Sequence, residues 1–244
     1  DTWEGDSYKI GGGGVWNHVA IDPQLGQVYM GVGNAAPDVW GGSRGGDNLF
    51  TASVLALDLK TGAYKWHYQE VHHDIWDHDA ATPPMLADIR YQGKDRKVLI
   101  HASKTGWLFI LDRANGQPVI GIEEKPVPQE ARMKTARTQP YPIGDRFVPM
   151  CPEQLLDGFE RGCLFTPFWE KPVLIFPGSS GGSAWAPLAF SPKTGLVYVP
   201  ANFLPTAFQA KRQVWDDGRR ELVTIGDSMG FYRPGGMERS GTLT

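Results

Sequence analysis

Ala56-Leu57-Asp58-Leu59-Lys60-Thr61-Gly62-Ala63-Tyr64-Lys65-Trp66 is the stretch that decides the fold class. It joins two short apolar runs, Ser53-Val54-Leu55-Ala56-Leu57 and Tyr64-Lys65-Trp66-His67-Tyr68. Each has the length and the β-branched or aromatic content of a strand. Between them, an Asp side chain can bond its own backbone, and a Gly can take up positive φ, which together close a tight hairpin. The same design recurs at Asp22-Pro23-Gln24-Leu25-Gly26, Asp112-Arg113-Ala114-Asn115-Gly116 and Ser191-Pro192-Lys193-Thr194-Gly195. Further strand-like runs lie at 27–32, 97–101, 106–111, 173–176 and 195–199. No long stretch holds helical periodicity, so the chain reads as all-β and built from repeated units.

Composition narrows the class. Of 244 residues, 41% are hydrophobic and 21% charged, as in ordinary globular domains. Gly 30 and Pro 19 make about a fifth of the chain, turn-rich but below the disordered range. The net charge of −3 gives no reason to expect a nucleic acid or an anionic membrane as partner. No apolar run approaches the ~18 residues of a membrane helix, and no signal peptide opens the chain. Cys151 and Cys163 can pair in an exported protein or stay thiols in a cytosolic one.

The fullest turn copy, Ala56-x-Asp58-x-x-Thr61-Gly62-x-x-x-Trp66, resembles the tryptophan-docking motif of quinoprotein β-propellers, in which the Trp of one blade packs on the next. At roughly 40–50 residues per blade, the chain holds about four or five. We expect a single partial propeller over 1–244, about half of the eight-bladed ring that the resemblance implies. The Pro- and charge-rich segment 123–171 is expected as a long loop over the cofactor face. Asp1 without a Met, and Ser240–Thr244 as a strand awaiting its turn, lead us to expect a fragment with blades missing at both ends.

Five motifs then occur in order: Gly33-Asn34-Ala35-Ala36-Pro37-Asp38-Val39-Trp40, Gly46-Asp47-Asn48-Leu49-Phe50, His72-His73-Asp74-Ile75-Trp76-Asp77-His78-Asp79, Lys104-Thr105-Gly106 and Glu124-Lys125-Pro126-Val127-Pro128-Gln129. Together they resemble the central part of the pyrroloquinoline quinone (PQQ)-dependent alcohol and glucose dehydrogenases, strongly over about the first 130 residues. Phe165-Thr166-Pro167 and Phe176-Pro177-Gly178-Ser179 extend the likeness more weakly.

The resemblance implies roles. Asp77 matches the catalytic base, which also lies at the metal; a carboxylate there accepts the hydroxyl proton as hydride leaves for the quinone. Asn34 matches a metal ligand, its amide oxygen suited to a hard cation such as Ca²⁺. Asp79 forms an Asp-x-Asp pair with Asp77; in a strand the two would point to one side. An additional Asp here marks the lanthanide-dependent alcohol enzymes, yet glucose enzymes of the superfamily carry a similar pair. Trp16, 18 residues before Asn34, matches the Trp beneath the PQQ ring. Lys104, 27 residues after Asp77, matches a lysine that contacts PQQ.

Each site residue also has a plain structural alternative: turn aspartates, a turn asparagine, a core tryptophan, a solvated lysine. His72, His73 and His78 flank the base, and a zinc site is the alternative for them. No Cys-x-x-Cys-His haem site and no Gly-x-Gly-x-x-Gly following a strand is present. The expected function is oxidation of an alcohol to a carbonyl with PQQ and Ca²⁺ or a lanthanide ion. Electrons would pass to cytochrome c or a membrane quinone in the periplasm, and the fragment alone would be inactive. Two rivals stay open: a sugar or polyol dehydrogenase, since Val71-His72-His73-Asp74 and Glu124-Lys125-Pro126-Val127-Pro128-Gln129 resemble the glucose and quinate enzymes, and a non-catalytic propeller scaffold.

Overall fold

The computed structural model describes residues 2–9, 11–214, 221–225 and 241–243. Strands β1 (Ala20–Asp22), β2 (Gln27–Val32), β3 (Ser53–Asp58) and β4 (Tyr64–Gln69) form one antiparallel four-stranded sheet in that order. It has the up-and-down arrangement of a propeller blade. Its turns close as the sequence predicts. Asp22 Oδ1 accepts from the N–H groups of Gln24 (2.9 Å) and Leu25 (3.0 Å). Asp58 Oδ1 does the same for Lys60 and Thr61. Gly26 and Gly62 sit at φ 63° and 72°.

The second sheet holds β5 (Met85–Tyr91), β6 (Lys94–Ala102) and β7 (Leu108–Asp112), again antiparallel and in order. A bridge from Leu111 to Pro118 begins a fourth line of pairing. Trp66 joins the two sheets. Its indole N–H donates to Gln27 Oε1 and to the Arg113 carbonyl, both at 3.2 Å. A Cβ on Gly116 would stand 2.5 Å from its ring, so only glycine lets the second sheet's turn lie flat against the first sheet's tryptophan. The docking contact expected from the motif is therefore made.

Beyond residue 120 the strands shorten. β8 (Ile122–Pro126) and β9 (Thr138–Pro142) form an antiparallel ribbon. β10 (Glu160–Gly162) runs parallel to β11 (Val173–Ile175). β12 (Ala189–Ser191) and β13 (Leu196–Tyr198) make a hairpin, and β14 (Pro200–Asn202) follows. β15 (Thr206–Phe208) completes the β10–β11 sheet, and β16 (Ala210–Val214) pairs with β17 (Glu221–Ile225). β18 (Gly241–Leu243) pairs with β14, so the strand expected near the chain's end is present, although Ser240 and Thr244 lie outside the described residues. Segment 123–171 thus carries strands as well as loop, and a Cys151–Cys163 disulfide closes part of it. Among the described residues no helix is long and apolar enough to cross a membrane.

The largest core cluster gathers Trp76, Trp107, Phe109, Phe165, Phe168 and Phe208, all nearly or fully buried. Burying each such ring contributes on the order of 2–3 kcal/mol. The cluster matters to function because Trp76 precedes the residue expected as base.

Candidate active site

Antiparallel blades place alternate connections at the same end of the sheets. Asn34 follows β2, Asp77 and Asp79 follow β4, and Lys104 follows β6, so all four reach one face.

The turn 74–79 is built by Asp74, which is fully buried. Its Oδ1 accepts from Trp76 N (2.9 Å) and its Oδ2 from His78 N (2.7 Å). Between those two donors the chain passes through Asp77 in the left-handed region at φ 61°, which Asp tolerates better than most residues. Trp76 drops into the core, its indole N–H donating to the Thr166 carbonyl at 2.8 Å. Arg44, 1% exposed, donates to the Asp74 carbonyl at 2.5 Å and to Asn48 Oδ1 at 2.6 Å, strapping the turn to the 37–48 loop.

Lys104 collects the two carboxylates. Its ammonium lies 3.0 Å from Asp79 Oδ2 and 3.4 Å from Asp77 Oδ1, and donates to the Asp77 carbonyl at 2.6 Å. The two Asp side chains do converge, but not by strand alternation as expected: residues 77–79 belong to no strand, and the left-handed turn at Asp77 aims both at one cation. Lys104 is 5% exposed, so it is no solvated turn lysine. The 178–182 loop covers it: Gly182 N donates to the Lys104 carbonyl at 2.7 Å, and Gly181 packs against its stem.

Asn34 is fixed at both ends. Its backbone N–H donates to Asp79 Oδ1 at 2.6 Å, and its side-chain amine donates to Asp38 Oδ1. Trp16 stands beside this strand end. A Cβ on Gly33 would lie 2.9 Å from Asp79 Oδ1 and 3.4 Å from Trp16 Cδ1. Trp16 is 54% exposed, so it lies outside the core. All five residues singled out in the sequence are therefore gathered here.

The electrostatics are lopsided. Two buried cations, Lys104 and Arg44, face the four carboxylates of Asp38, Asp74, Asp77 and Asp79. Burial, with the neighbouring carboxylates, pushes Asp77 up to about 8 against the opposing pull of Lys104, and burial lifts Asp74 to about 7. Asp38 is raised too, by burial and then by Asp79. Burial lowers Lys104, but Asp77 and Asp79 outweigh it and hold its proton more firmly than usual.

The histidines do not converge. His72 bridges Gln69 Oε1 (2.7 Å) and Glu124 Oε1 (3.0 Å). His73 lies between the carbonyls of Gly46 and Met133. His78 is buried against Trp76 and Phe165. The three histidines are held by different parts of the fold and share no centre, and among the described residues no three His, Cys, Asp or Glu side chains form a metal-binding group. The sequence reading missed Asp38, Asp74 and Arg44. Asp38 and Asp74 lay within quoted motifs, but only the fold shows what they hold. Trp185 was missed as well: 67% exposed, it accepts at its carbonyl from Asn17 Nδ2 (2.9 Å), next to Trp16 in the chain.

Residues 1–223 match the family model described as PQQ glucose/ethanol/alcohol dehydrogenase, β-propeller domain. A quinohemoprotein alcohol dehydrogenase of Comamonas testosteroni is 37% identical over 84% of this chain and 27% of its own length. The quinoprotein glucose dehydrogenase of Escherichia coli K12 is 34% identical over 78% of this chain and 26% of its own. The solved structure of a europium-containing methanol dehydrogenase superposes with a TM-score of 0.64 at 29% identity, over 92% of this chain and 36% of that one. The chain thus spans about a quarter to a third of the relatives it matches.

Proposed function

The chain belongs to the PQQ glucose/ethanol/alcohol dehydrogenase β-propeller family, and on that premise we propose that it forms part of the active site of a PQQ-dependent dehydrogenase oxidising an alcohol to an aldehyde or ketone. The observation that carries this reading is the gathering of Asp77, Asp79, Asn34 and Lys104 on one face, beside the exposed Trp16.

The residues suit the cofactors. Carboxylate and amide oxygens are the donors a hard cation prefers, and four carboxylates against the Lys104 ammonium and the Arg44 guanidinium leave negative charge for Ca²⁺ or a lanthanide ion to neutralise. Asn34, Asp77 and Asp79 would hold the cation. Trp16 would give the planar quinone an aromatic face, and Lys104 a fixed positive charge. When bound, PQQ supplies a hydride acceptor and the cation a Lewis acid. Asp77 takes the substrate hydroxyl proton on its carboxylate. Its raised proton affinity makes it a stronger base than an ordinary carboxylate. Asp74 and Arg44 hold the turn that presents that carboxylate.

A sugar or polyol substrate is the second reading. His72 and Glu124, from the two motifs that resemble glucose and quinate enzymes, are joined by a 3.0 Å hydrogen bond. The scaffold alternative is weakened by the family, whose matched relatives are named as dehydrogenases. Periplasmic location and transfer of electrons to cytochrome c or a membrane quinone complete the proposal.

The test uses the full-length apoprotein, loaded with PQQ and either Ca²⁺ or La³⁺. Dye reduction is followed with ethanol and with glucose. Asp77→Asn is expected to lose roughly 10²–10⁴-fold in kcat/KM. Absence of PQQ binding with either cation would overturn the reading.

A further inference from the structure

We propose that Asp38 is a positioning residue that sets the amide plane of Asn34, turning its oxygen towards the cation. The inference rests on the reading of Asn34 as a metal ligand.

The argument begins with the chemistry of an amide. Asn34 carries an amine at one corner of its planar group and an oxygen at the other. A carboxylate only accepts, so the corner that meets Asp38 Oδ1 is the amine. The reversed amide would set its carbonyl oxygen against the carboxylate and lose the bond. One orientation is therefore selected, and it directs the oxygen away from Asp38. The backbone of Asn34 is fixed separately, by its N–H to Asp79 Oδ1 at 2.6 Å.

Asp38 is itself anchored. Arg44 Nη2 donates to the carbonyls of Pro37 (3.1 Å) and Asp38 (3.2 Å) and to that of Asp74 at 2.5 Å. One buried guanidinium thus ties the residue that orients Asn34 to the turn that presents Asp77. Such outer partners contribute typically about 10–100-fold to metal affinity by holding ligands in place.

Two other roles are separable by experiment: Asp38 as a ligand in its own right, or as a bare negative charge. Tb³⁺ is titrated into the purified full-length apoprotein, and its luminescence is read through tryptophan excitation. Asp38→Ala is expected to weaken Tb³⁺ binding about 10–100-fold. Asp38→Asn removes the charge but keeps an acceptor oxygen for the Asn34 amine, and is expected to bind within about threefold of the parent. The double variant Asn34→Ala/Asp38→Ala is expected to bind no more weakly than Asn34→Ala alone, because Asp38 acts through Asn34.

An unchanged affinity in Asp38→Ala overturns the proposal. So does an Asp38→Asn loss equal to that of Asp38→Ala, which would assign a charge role. Additive losses in the double variant overturn it in favour of a direct ligand. If Asn34→Ala alone leaves Tb³⁺ binding unchanged, the ligand reading of Asn34 falls, and the proposal falls with it for that distinct reason. Should Asp38→Ala not fold, Asp38→Ser replaces it in the same comparison.

Discussion

Replacing Lys104 by Met removes the one ammonium among four carboxylates while keeping much of the side-chain volume. Lys104 is 5% exposed and pairs with Asp79 at 3.0 Å and Asp77 at 3.4 Å. Removing one partner of a buried ion pair costs about 3–5 kcal/mol, because the other charge is left uncompensated. The Asp77 side chain keeps 29% of its exposure, so water screens part of the cost, and we expect about 3 kcal/mol at pH 8. That is a large share of a total stability of roughly 5–15 kcal/mol. Urea unfolding without added cation measures it as a midpoint shift at constant slope.

The pH dependence has a definite sign. Asp77 titrates at about 8 in the folded protein against an ordinary value of 3.8, so the folded state holds the proton more tightly. Its contribution to stability is fully present below the ordinary value and is lost as pH rises towards 8. Loss of Lys104 raises Asp77 further. The variant's deficit is therefore largest near pH 8 and closes as pH falls towards 4. Lys104→Met/Asp79→Asn, with one fewer orphaned carboxylate, should recover part of it. A deficit under about 1 kcal/mol at pH 8, or one that does not shrink on acidification, would refute this electrostatic account.

Further outcomes follow from close contacts. Gly181 holds φ 66°, and a Cβ there would stand 2.3 Å from Lys104 Cβ. Gly181→Ala should displace Lys104 and lower kcat/KM about 100-fold for each ~1 Å of movement; an unchanged kcat/KM would show that the loop does not position it. Trp66→Ala should cost about 3–5 kcal/mol in urea unfolding, and Trp66→Phe about 1–2 through its lost N–H bonds. Equal losses for the two would assign the whole contribution to the N–H bonds. Cys151→Ser opens a loop with a sequence separation of 12 and should cost about 2–3 kcal/mol, as should reduction of the parent protein.

The hairpins were legible because their causes are local. All seven runs read as strands from the sequence are strands, and each of the four turns carries its Asp or Ser bond and a glycine at positive φ. β5 was not predicted: Asp88 and Arg90 occupy its exposed positions and interrupt the apolar signal. β8 and β9 were read as loop because Pro126, Pro140 and Pro142 punctuate them, which a two-stranded ribbon with open edges tolerates. At the site, the family resemblance pointed to Trp16, Asn34, Asp77, Asp79 and Lys104, which the fold brings to one face. It could not find their supports, because Arg44 reaches a carbonyl 30 residues away and Asp38 braces Asn34 only once the 33–38 loop has folded.

Antiparallel blades have two ends, and only one of them carries Asn34, Asp77 and Lys104. The turns that close at Gly26, Gly62, Gly93 and Gly116 form the other end. They bond mostly to their own backbones, and the tips near Lys60 and Gly93 are exposed. A tether placed at Gly93 would therefore fix the chain to a support with the face that carries Asn34, Asp77 and Lys104 outward. The hairpin geometry itself supplies the attachment point and decides which side meets the solution.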